Sequence, residues 1–420
     1  MFQLGKVSWL LAAAALALSL AVPNGYNFGI AILFIVSLLL PFLKVRFSLS
    51  RQDLLITSAF LIYFISTTFF IDLYGWNTRD LDRPSRFLLV APVLFLLLHV
   101  DGYRKLLWAG ATWGAIFASV VALYERYYLG LPRAMGAEYP IMFGDTSILL
   151  GFISAVAALY FFAKRQYYQL TLAILGFIAG SLGSILSGSR GGWVGIPIIL
   201  VFMLWHSRDL LGKRVVLGVF GVCLVGALTV LAIPQLGVSK KIDQTFQSVQ
   251  LYLDGEPNTS LGLRFEMWKA SLYMFESSPV FGVGEHGATE FKQRLANEGI
   301  ISEQAVVFDH AHNEYLNALS LTGIIGFLAL MAVYLVPLRL FLRKMREYKN
   351  NWNVKAYAMA GALVPMSYMD FALSQSMFSH NIGVMMYVFP IVFFWAAVRW
   401  AEKEYAEGLA PETLKANKSD

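Results

Sequence analysis

The sequence predicts an all-α polytopic membrane protein. Of its 420 residues, 57% are hydrophobic and only 14% are charged, whereas soluble globular proteins carry roughly 25% charged residues. Mean hydropathy is +0.59, and apolar stretches near the length of a tilted transmembrane helix recur along the whole chain. They predict about twelve transmembrane helices. The stretches are residues 7–22, 28–43, 54–71, 86–100, 106–124, 147–163, 168–186, 193–205, 215–232, 314–338, 356–372 and 381–400.

The first apolar stretch has two interpretations. Lys6 precedes an Ala/Leu-rich core, as in a cleaved signal peptide. A second apolar stretch follows almost at once, after the turn residues Pro23, Asn24 and Gly25. We therefore expect an uncleaved first transmembrane helix.

An even number of helices places both termini on one side of the membrane. Lys and Arg cluster in the short segments on the side of the termini, which the positive-inside rule assigns to the cytoplasm. This bias accounts for the net charge of +6 and the pI of about 9.2, so no nucleic-acid partner is predicted. The single cysteine, Cys223, excludes an intrachain disulfide and a cysteine-based metal site.

The predicted helices divide the chain into four parts. Residues 1–232 hold transmembrane helices 1–9, residues 233–313 form a long outer loop, residues 314–400 hold helices 10–12, and residues 401–420 form a polar cytoplasmic tail. Apolar residues at helical spacing predict two amphipathic helices in the loop, which lie on the membrane surface or pack over the bundle. A third short helix is predicted at 288–297. The apolar residues are Ile242, Phe246, Val249 and Leu253 in the first helix, and Leu261, Phe265, Trp268, Leu272 and Phe275 in the second.

Arginine in short outer segments departs from the positive-inside rule. Arg190 lies in LSGSRGGWVG, where the eighth transmembrane helix begins and where Gly191 lets a ligand approach the backbone. An arginine beside a helix N-terminus favours a bound anion such as phosphate. The alternative is an interfacial arginine that extends to the headgroups beside Trp193. The outer arginines in short segments are Arg79, Arg83, Arg86, Arg126, Arg133 and Arg190.

Two further arginines are candidates for anion binding. Arg86 lies in DLDRPSRFLLV at the start of the fourth helix, where Asp82 is an alternative partner. Arg264 lies in SLGLRFEMWK among apolar neighbours on the second loop helix, where Glu266 or Glu276 is an alternative partner. Pairing with these carboxylates is the structural alternative to anion binding.

The stretch HAHNEYLNALSLTGIIG, residues 310–326, places two histidines where the tenth transmembrane helix begins. His310 and His312 are two positions apart and would diverge on a helix, so no metal site is predicted. One alternative is that Asp309, His310 and Asn313 cap the helix. The other is that His312 is a general base, because a helix N-terminus disfavours imidazolium and keeps the ring able to accept a proton.

Three segments together resemble one known superfamily. HN, nine residues and GxxG at 312–326 resembles the motif of bacterial O-antigen ligases and related protein O-oligosaccharyltransferases. SRGGWVG at 189–195 and RFEMWKASLYMFESSPVFGVG at 264–284 are similar to two further segments of that superfamily. The resemblance covers roughly residues 75–335 and includes the predicted topology.

The resemblance implies a GT-C-like, inverting glycosyltransferase that needs no metal or cofactor. Such an enzyme lies in the bacterial inner membrane with its active site on the periplasmic face. It would transfer a polysaccharide en bloc from undecaprenyl diphosphate, the donor, to lipid A–core, the acceptor, in lipopolysaccharide synthesis. His312 would activate the acceptor hydroxyl. The diphosphate-binding arginines would be Arg190, Arg264 and, in a segment of variable spacing, Arg86, with Asn313, Gly191 and Trp193 as supporting residues.

Three alternatives remain at the level of sequence. Protein O-oligosaccharyltransferases usually carry an extra domain after the last helix, so the short tail favours lipid A–core as the acceptor. A polysaccharide polymerase is disfavoured by the His-Asn motif. A lipid or glycolipid transporter would carry charged residues in mid-membrane, and these are scarce. His286 is expected to be structural, whereas Asp370 and His380 are expected to line the acceptor path or to cap helices.

Overall fold

The fold is all-α, as predicted. The computed structural model describes residues 2–43, 49–75, 77–100, 102–189, 191–233 and 238–409. Within these residues the chain forms fifteen α-helices and no β-strand. The helices are α1 (Phe2–Leu18), α2 (Gly25–Ser37), α3 (Arg51–Tyr74), α4 (Asp82–His99), α5 (Leu106–Leu123), α6 (Pro140–Ala163), α7 (Tyr167–Ser187), α8 (Ile196–Leu211), α9 (Lys213–Ala232), α10 (Val238–Leu253), α11 (Ser260–Ser277), α12 (Gly284–Asn297), α13 (Glu314–Glu347), α14 (Trp352–Phe371) and α15 (Asn381–Leu409).

Each predicted transmembrane segment coincides with a helix, and α10, α11 and α12 lie in the predicted outer loop. In the described part of the chain, seven helical segments are long and apolar enough to cross a membrane, and α1 and α2 are shorter apolar helices. The chain is therefore a polytopic membrane protein. The total of about twelve spans stays a prediction. The seven segments belong to α3, α5, α6, α7, α8, α13 and α15.

Helices α14 and α15 form the centre of the bundle. Nearly every described side chain of α14 is buried by neighbouring helices, and small residues such as Ala358 and Gly361 allow this close approach. A Cβ on Gly361 would lie only 2.2 Å from Phe341 Cε1 of α13. By contrast, α9 exposes large apolar side chains such as Val222, which is 73% exposed, as expected for a helix that faces lipid.

The connections that carry the candidate residues meet at one end of the bundle, which we call the site end. Helices α3, α5, α7 and α14 finish there, and α13 begins there. Arg83 at the start of α4 donates a hydrogen bond to the Ser379 carbonyl (2.6 Å). The Ala134 N–H donates to the Leu186 carbonyl at the end of α7 (3.0 Å). Residues distant in sequence therefore reach one surface.

Helix α11 packs over the bundle, but on a different face from the predicted one. Its buried residues include Glu266, Met267, Ala270 and Met274, whereas Leu272 of the predicted apolar stripe is 50% exposed. Glu266 is buried because its carboxylate accepts hydrogen bonds from the Tyr252 hydroxyl (2.8 Å) and the Ser302 N–H (2.6 Å). Specific polar partners thus override the hydrophobic pattern.

The GxxG part of the 312–326 motif has a structural explanation. Gly323 interrupts α13 with φ 60° and ψ −159°, a conformation that essentially requires glycine. A Cβ there would lie 2.3 Å from the Val280 carbonyl oxygen, and the Ile324 N–H donates to the Pro279 carbonyl (2.9 Å). The segment before α12 therefore packs into the kink of α13 and ties the outer loop to the helix that follows His312.

Candidate active site

The N-terminus of α13 positions His312. Asn313 is the N-cap, and its side-chain oxygen accepts the Leu316 N–H (3.1 Å). The Glu314 N–H donates to the Ala372 carbonyl at the end of α14 (2.8 Å). Helix capping, the structural interpretation of this stretch, is thus carried out by Asn313. The imidazole of His312 is left for other contacts.

The backbone of His312 lies in the left-handed region, with φ 48°. For a non-glycine residue this costs roughly 1–2 kcal/mol and persists only where the surroundings hold it. Both backbone groups of Ala311 are bonded: its carbonyl accepts the Trp268 indole N–H (3.0 Å) and its N–H donates to Asn317 Oδ1 (3.3 Å). Helix α11 therefore helps to hold the turn that directs His312.

His312 is one of three histidines in a cluster. The ring centroids of His310 and His312 are 4.4 Å apart, and those of His310 and His380 are 5.6 Å apart. Gln375 joins two of these rings, with Oε1 2.7 Å from His312 Nδ1 and Nε2 3.1 Å from His380 Nε2. His310 is therefore neither a helix cap nor distant from His312.

The cluster is uncharged at neutral pH. Burial lowers the pKa of His312 from 6.5 to about 4, with further lowering by His310 and Arg264 and an opposing contribution from the Gln375 hydrogen bond. Burial likewise lowers the pKa of His310 and of His380 to about 4. The neutral imidazole expected at position 312 thus arises chiefly from burial and not from the helix dipole.

A cavity of about 640 Å³ lies at the site end and is lined by two arginines from separate elements. Arg264 comes from α11, and Arg133 comes from the connection between α5 and α6. Arg133 Nε donates to the Ser187 carbonyl at the end of α7 (2.7 Å). Two guanidinium groups in one cavity favour an anionic ligand with several oxygens. Other lining residues are Gly191, Ser374 and the polar side chains Gln244, Gln247 and Ser248 of α10.

Gly191, which follows Arg190 in the sequence, lines this cavity. Gly191–Trp193 is a short 3-10 turn and α8 begins only at Ile196, so the helix N-terminus predicted at this point lies further along the chain. A Cβ on Gly191 would lie 1.7 Å from Ser374 Oγ. Ser374 directly precedes Gln375, so the cavity reaches the chain segment that contacts His312.

Trp193 anchors the same turn, since its indole N–H donates to Ser184 Oγ of α7 (3.2 Å). The supporting role predicted for Trp193 stays a prediction. Arg190 lies outside the described residues, and its role in diphosphate binding stays a prediction.

Arg86 does not line the cavity that holds Arg264. Its guanidinium pairs with Asp82 (2.9 Å), the carboxylate named as the alternative partner, and donates to the Asn381 carbonyl (3.4 Å). The structural alternative for Arg86, pairing with Asp82, is therefore present, and its predicted contact with a diphosphate stays a prediction.

The remaining polar residues have defined positions. His286 lies in the first turn of α12 and, with Arg83, lines a second, smaller cavity of about 160 Å³ between α3, α4 and α13. Asp370 lies in the last turn of α14, where a Cβ on Gly195 would be 2.8 Å from its Oδ2. His380 belongs to the histidine cluster.

Sequence reasoning missed two residues of the site. Arg133 was one of the six outer arginines but, unlike Arg86 and Arg190, had no assigned role. Its only signal was the departure from the positive-inside rule. Gln375 had no signal, because a single glutamine between two apolar helices is unremarkable in sequence.

Comparison with known proteins agrees with the motifs. A family model described as O-antigen ligase matches residues 175–331, a region that includes Arg264 and His312. The chain is 29% identical over 371 residues to an uncharacterized protein of Haemophilus influenzae, which covers 88% of this chain and 92% of that protein. It is 26% identical over 227 residues to an O-antigen ligase of Escherichia coli, or 52% of this chain and 50% of the relative, so the match spans about half of that enzyme. These matches support the resemblance to the O-antigen ligase family that the motifs indicate.

Proposed function

We propose that the protein is an O-antigen ligase that transfers a polysaccharide en bloc from undecaprenyl diphosphate to lipid A–core. The reaction takes place on the periplasmic face of the inner membrane, with both termini in the cytoplasm, and needs no metal or cofactor. The observation that carries the proposal is the cavity with Arg133 and Arg264, which reaches Ser374 beside the Gln375 contact of His312. A site for an anionic leaving group thus adjoins a neutral base.

The base accounts for activation of the acceptor. His312 accepts the proton of an acceptor hydroxyl while the oxygen attacks the anomeric carbon of the donor sugar. The bond between that carbon and the diphosphate oxygen breaks in the same displacement. Attack from the opposite side inverts the anomeric configuration.

The arginines account for the leaving group. As the glycosidic bond breaks, negative charge grows on the diphosphate, and fixed guanidinium groups stabilise it most where water is partly excluded. Arg264 and Arg133 are the described cations that line the cavity, and Arg190 directly precedes Gly191 of the same wall. A diphosphate is a competent leaving group without a general acid.

Reconstitution with purified substrates tests this function. Protein in proteoliposomes is given undecaprenyl diphosphate-linked polysaccharide together with lipid A–core, an acceptor protein or no acceptor. We expect glycan attached to lipid A–core alone. Glycan chains that lengthen without an acceptor would indicate a polymerase, glycosylated protein would indicate a protein O-oligosaccharyltransferase, and movement of the donor across the bilayer without transfer would indicate a transporter.

The rate of transfer is expected to stay nearly constant from about pH 8 down to about pH 5. Because the pKa of His312 is lowered to about 4, the ring stays unprotonated well below the 6.5 of an ordinary histidine. Initial transfer rates across this range, normalised to the amount of folded protein, measure the acid limb of the pH–rate profile, where the rate falls because the base becomes protonated. An acid limb centred near 6.5 would show that the base is a solvent-exposed histidine and would contradict this assignment.

Unlike the transfer rate, folding stability is expected to change with pH in this range. The three clustered histidines have a pKa near 6.5 when unfolded and about 4 when folded, so below pH 6.5 the unfolded state binds more protons. The contribution of the three neutral histidines to folding stability is complete above pH 6.5 and is lost as the pH drops towards 4. Rates at low pH must therefore be compared with activity recovered after return to pH 7.

Replacing Gly191 with alanine is expected to lower the transfer rate about tenfold or more, since small misplacements of a reacting group are costly. The added Cβ would lie 1.7 Å from Ser374 Oγ and 2.7 Å from Ser374 Cβ, so the turn must move. Pairing Gly191→Ala with Ser374→Gly removes the clash and is expected to restore part of the rate. Equal loss in the single and double variants would show that the clash is not the cause.

A further inference from the structure

Gln375 is held rigidly between two of the clustered histidines. Its side chain is only 2% exposed, and its backbone N–H donates to the Phe371 carbonyl (2.9 Å). Three residues later, the Phe378 N–H donates to the buried carboxylate of Glu314 (2.9 Å). The Phe378 ring packs against aromatic rings of several helices, among them that of Tyr387, with the two ring centroids 5.2 Å apart. The loop that carries Gln375 is therefore fixed at both ends.

A backbone donor fixes the orientation of the Gln375 amide. The Ser376 N–H lies 3.2 Å from Gln375 Oε1, and a backbone N–H can only donate. The atom at this position is therefore the amide oxygen, and the amide nitrogen is the atom next to His380.

This orientation determines the tautomer of His312. Gln375 Oε1 also lies 2.7 Å from His312 Nδ1, and a carbonyl oxygen accepts only from a nitrogen that carries a hydrogen. Nδ1 of the neutral ring is thus protonated and Nε2 holds the free lone pair. On the opposite side, the Gln375 amide N–H donates to His380 Nε2 (3.1 Å).

The third histidine fits the same pattern. The His312 backbone N–H donates to His310 Nδ1 (3.3 Å), so His310 accepts at Nδ1 and carries its hydrogen on Nε2. Each described hydrogen bond in the cluster then has one donor and one acceptor, without an added charge.

We propose that Gln375 is a positioning residue that keeps the proton of His312 on Nδ1 and the basic lone pair on Nε2. The inference rests on the proposed function, in which His312 accepts a proton from the acceptor hydroxyl. When the hydroxyl oxygen attacks the donor sugar, its proton moves to Nε2, and the leaving diphosphate retains the electron pair of the broken bond. The Nδ1–H to Gln375 hydrogen bond persists through this step and strengthens as the ring gains charge.

Substitution of Gln375 by leucine tests the inference in two ways. In protein labelled with nitrogen-15 at its six histidines, the His312 signal is assigned by its absence from His312→Ala. We expect Nδ1 to be protonated in the wild type and Nε2 protonation to increase in Gln375→Leu. We also expect kcat to fall about 10²-fold with little change in KM. Gln293→Leu, on the surface of α12, is the matched control.

A second variant separates positioning from packing. Gln375→Glu keeps an acceptor at Nδ1 and adds a negative charge, so it is expected to restore much of kcat lost in Gln375→Leu. It is also expected to move the acid limb of the rate towards neutral pH, because a carboxylate favours imidazolium. The charged and titratable groups that face His312, namely His310, His380 and Arg264, are unchanged in both variants.

The results distinguish this inference from the proposed function. An unchanged His312 tautomer in Gln375→Leu, or a rate equal to that of Gln293→Leu, would overturn the role of Gln375. Loss of rate in Gln375→Glu equal to that in Gln375→Leu would also overturn it. Undiminished transfer by His312→Ala would instead refute the base, while the nitrogen signals would still show whether Gln375 sets the tautomer.

Discussion

Replacing His312 with alanine is expected to lower the rate of polysaccharide transfer by about 10²- to 10⁴-fold, the usual contribution of a general base. The variant keeps the N-cap, because Asn313 and not His312 bonds the Leu316 N–H. Because the ring is neutral, its replacement by the smaller alanine side chain introduces no steric clash and leaves no unpaired buried charge. The protein should therefore still fold. Initial rates in proteoliposomes, with thermal unfolding measured in parallel, check the prediction.

His206→Ala is the matched control for this variant. His206 is a half-buried histidine on α8, and it does not contact the histidine cluster. Its removal is expected to leave the transfer rate within about twofold of the wild type, as for substitutions remote from a site. Equal rates for His312→Ala and His206→Ala would refute the assignment of the base.

Replacing Arg264 with alanine is expected to lower the transfer rate by about 10²- to 10³-fold, because it removes fixed charge where the diphosphate gains charge. Arg264→Lys keeps the charge but loses the paired N–H groups that match phosphate oxygens. Its rate should fall between those of alanine and wild type. Steady-state kinetics with varied donor separate the effects: charge stabilisation in the transition state lowers kcat, whereas simple donor binding raises KM.

Arg294→Ala provides the control in the same outer loop. Arg294 lies on α12 with its guanidinium 4.3 Å from the Phe291 ring centroid, and it is not among the residues that line the arginine cavity. A change in overall loop charge would affect both variants. If Arg294→Ala loses as much rate as Arg264→Ala, the effect is long-range charge and the cavity is not the diphosphate site.

Local patterns were enough to predict the helices. The apolar stretch at 54–71 lies within α3, and the loop periodicity at 242–253 lies within α10, because helix formation in an apolar or amphipathic segment depends on its own residues. Local patterns were less successful in predicting which face of a helix is buried, because polar groups from other segments also determine it. On α11 the apolar stripe through Leu272 is not the buried face, because Glu266 finds two hydrogen-bond donors from other segments.

The sequence by itself determined the all-α membrane fold and the helices of the outer loop, and its family motifs predict His312 and Arg264 as site residues. These properties depend on composition, periodicity and short motifs. Only the tertiary structure brought Gln375 to His312, 63 positions away, and placed Arg133 in the cavity with Arg264. Such contacts depend on helix packing, because a glycine that allows two helices to approach, or a hydrogen bond that fixes a loop, determines which side chains come into contact. No local pattern contains that information.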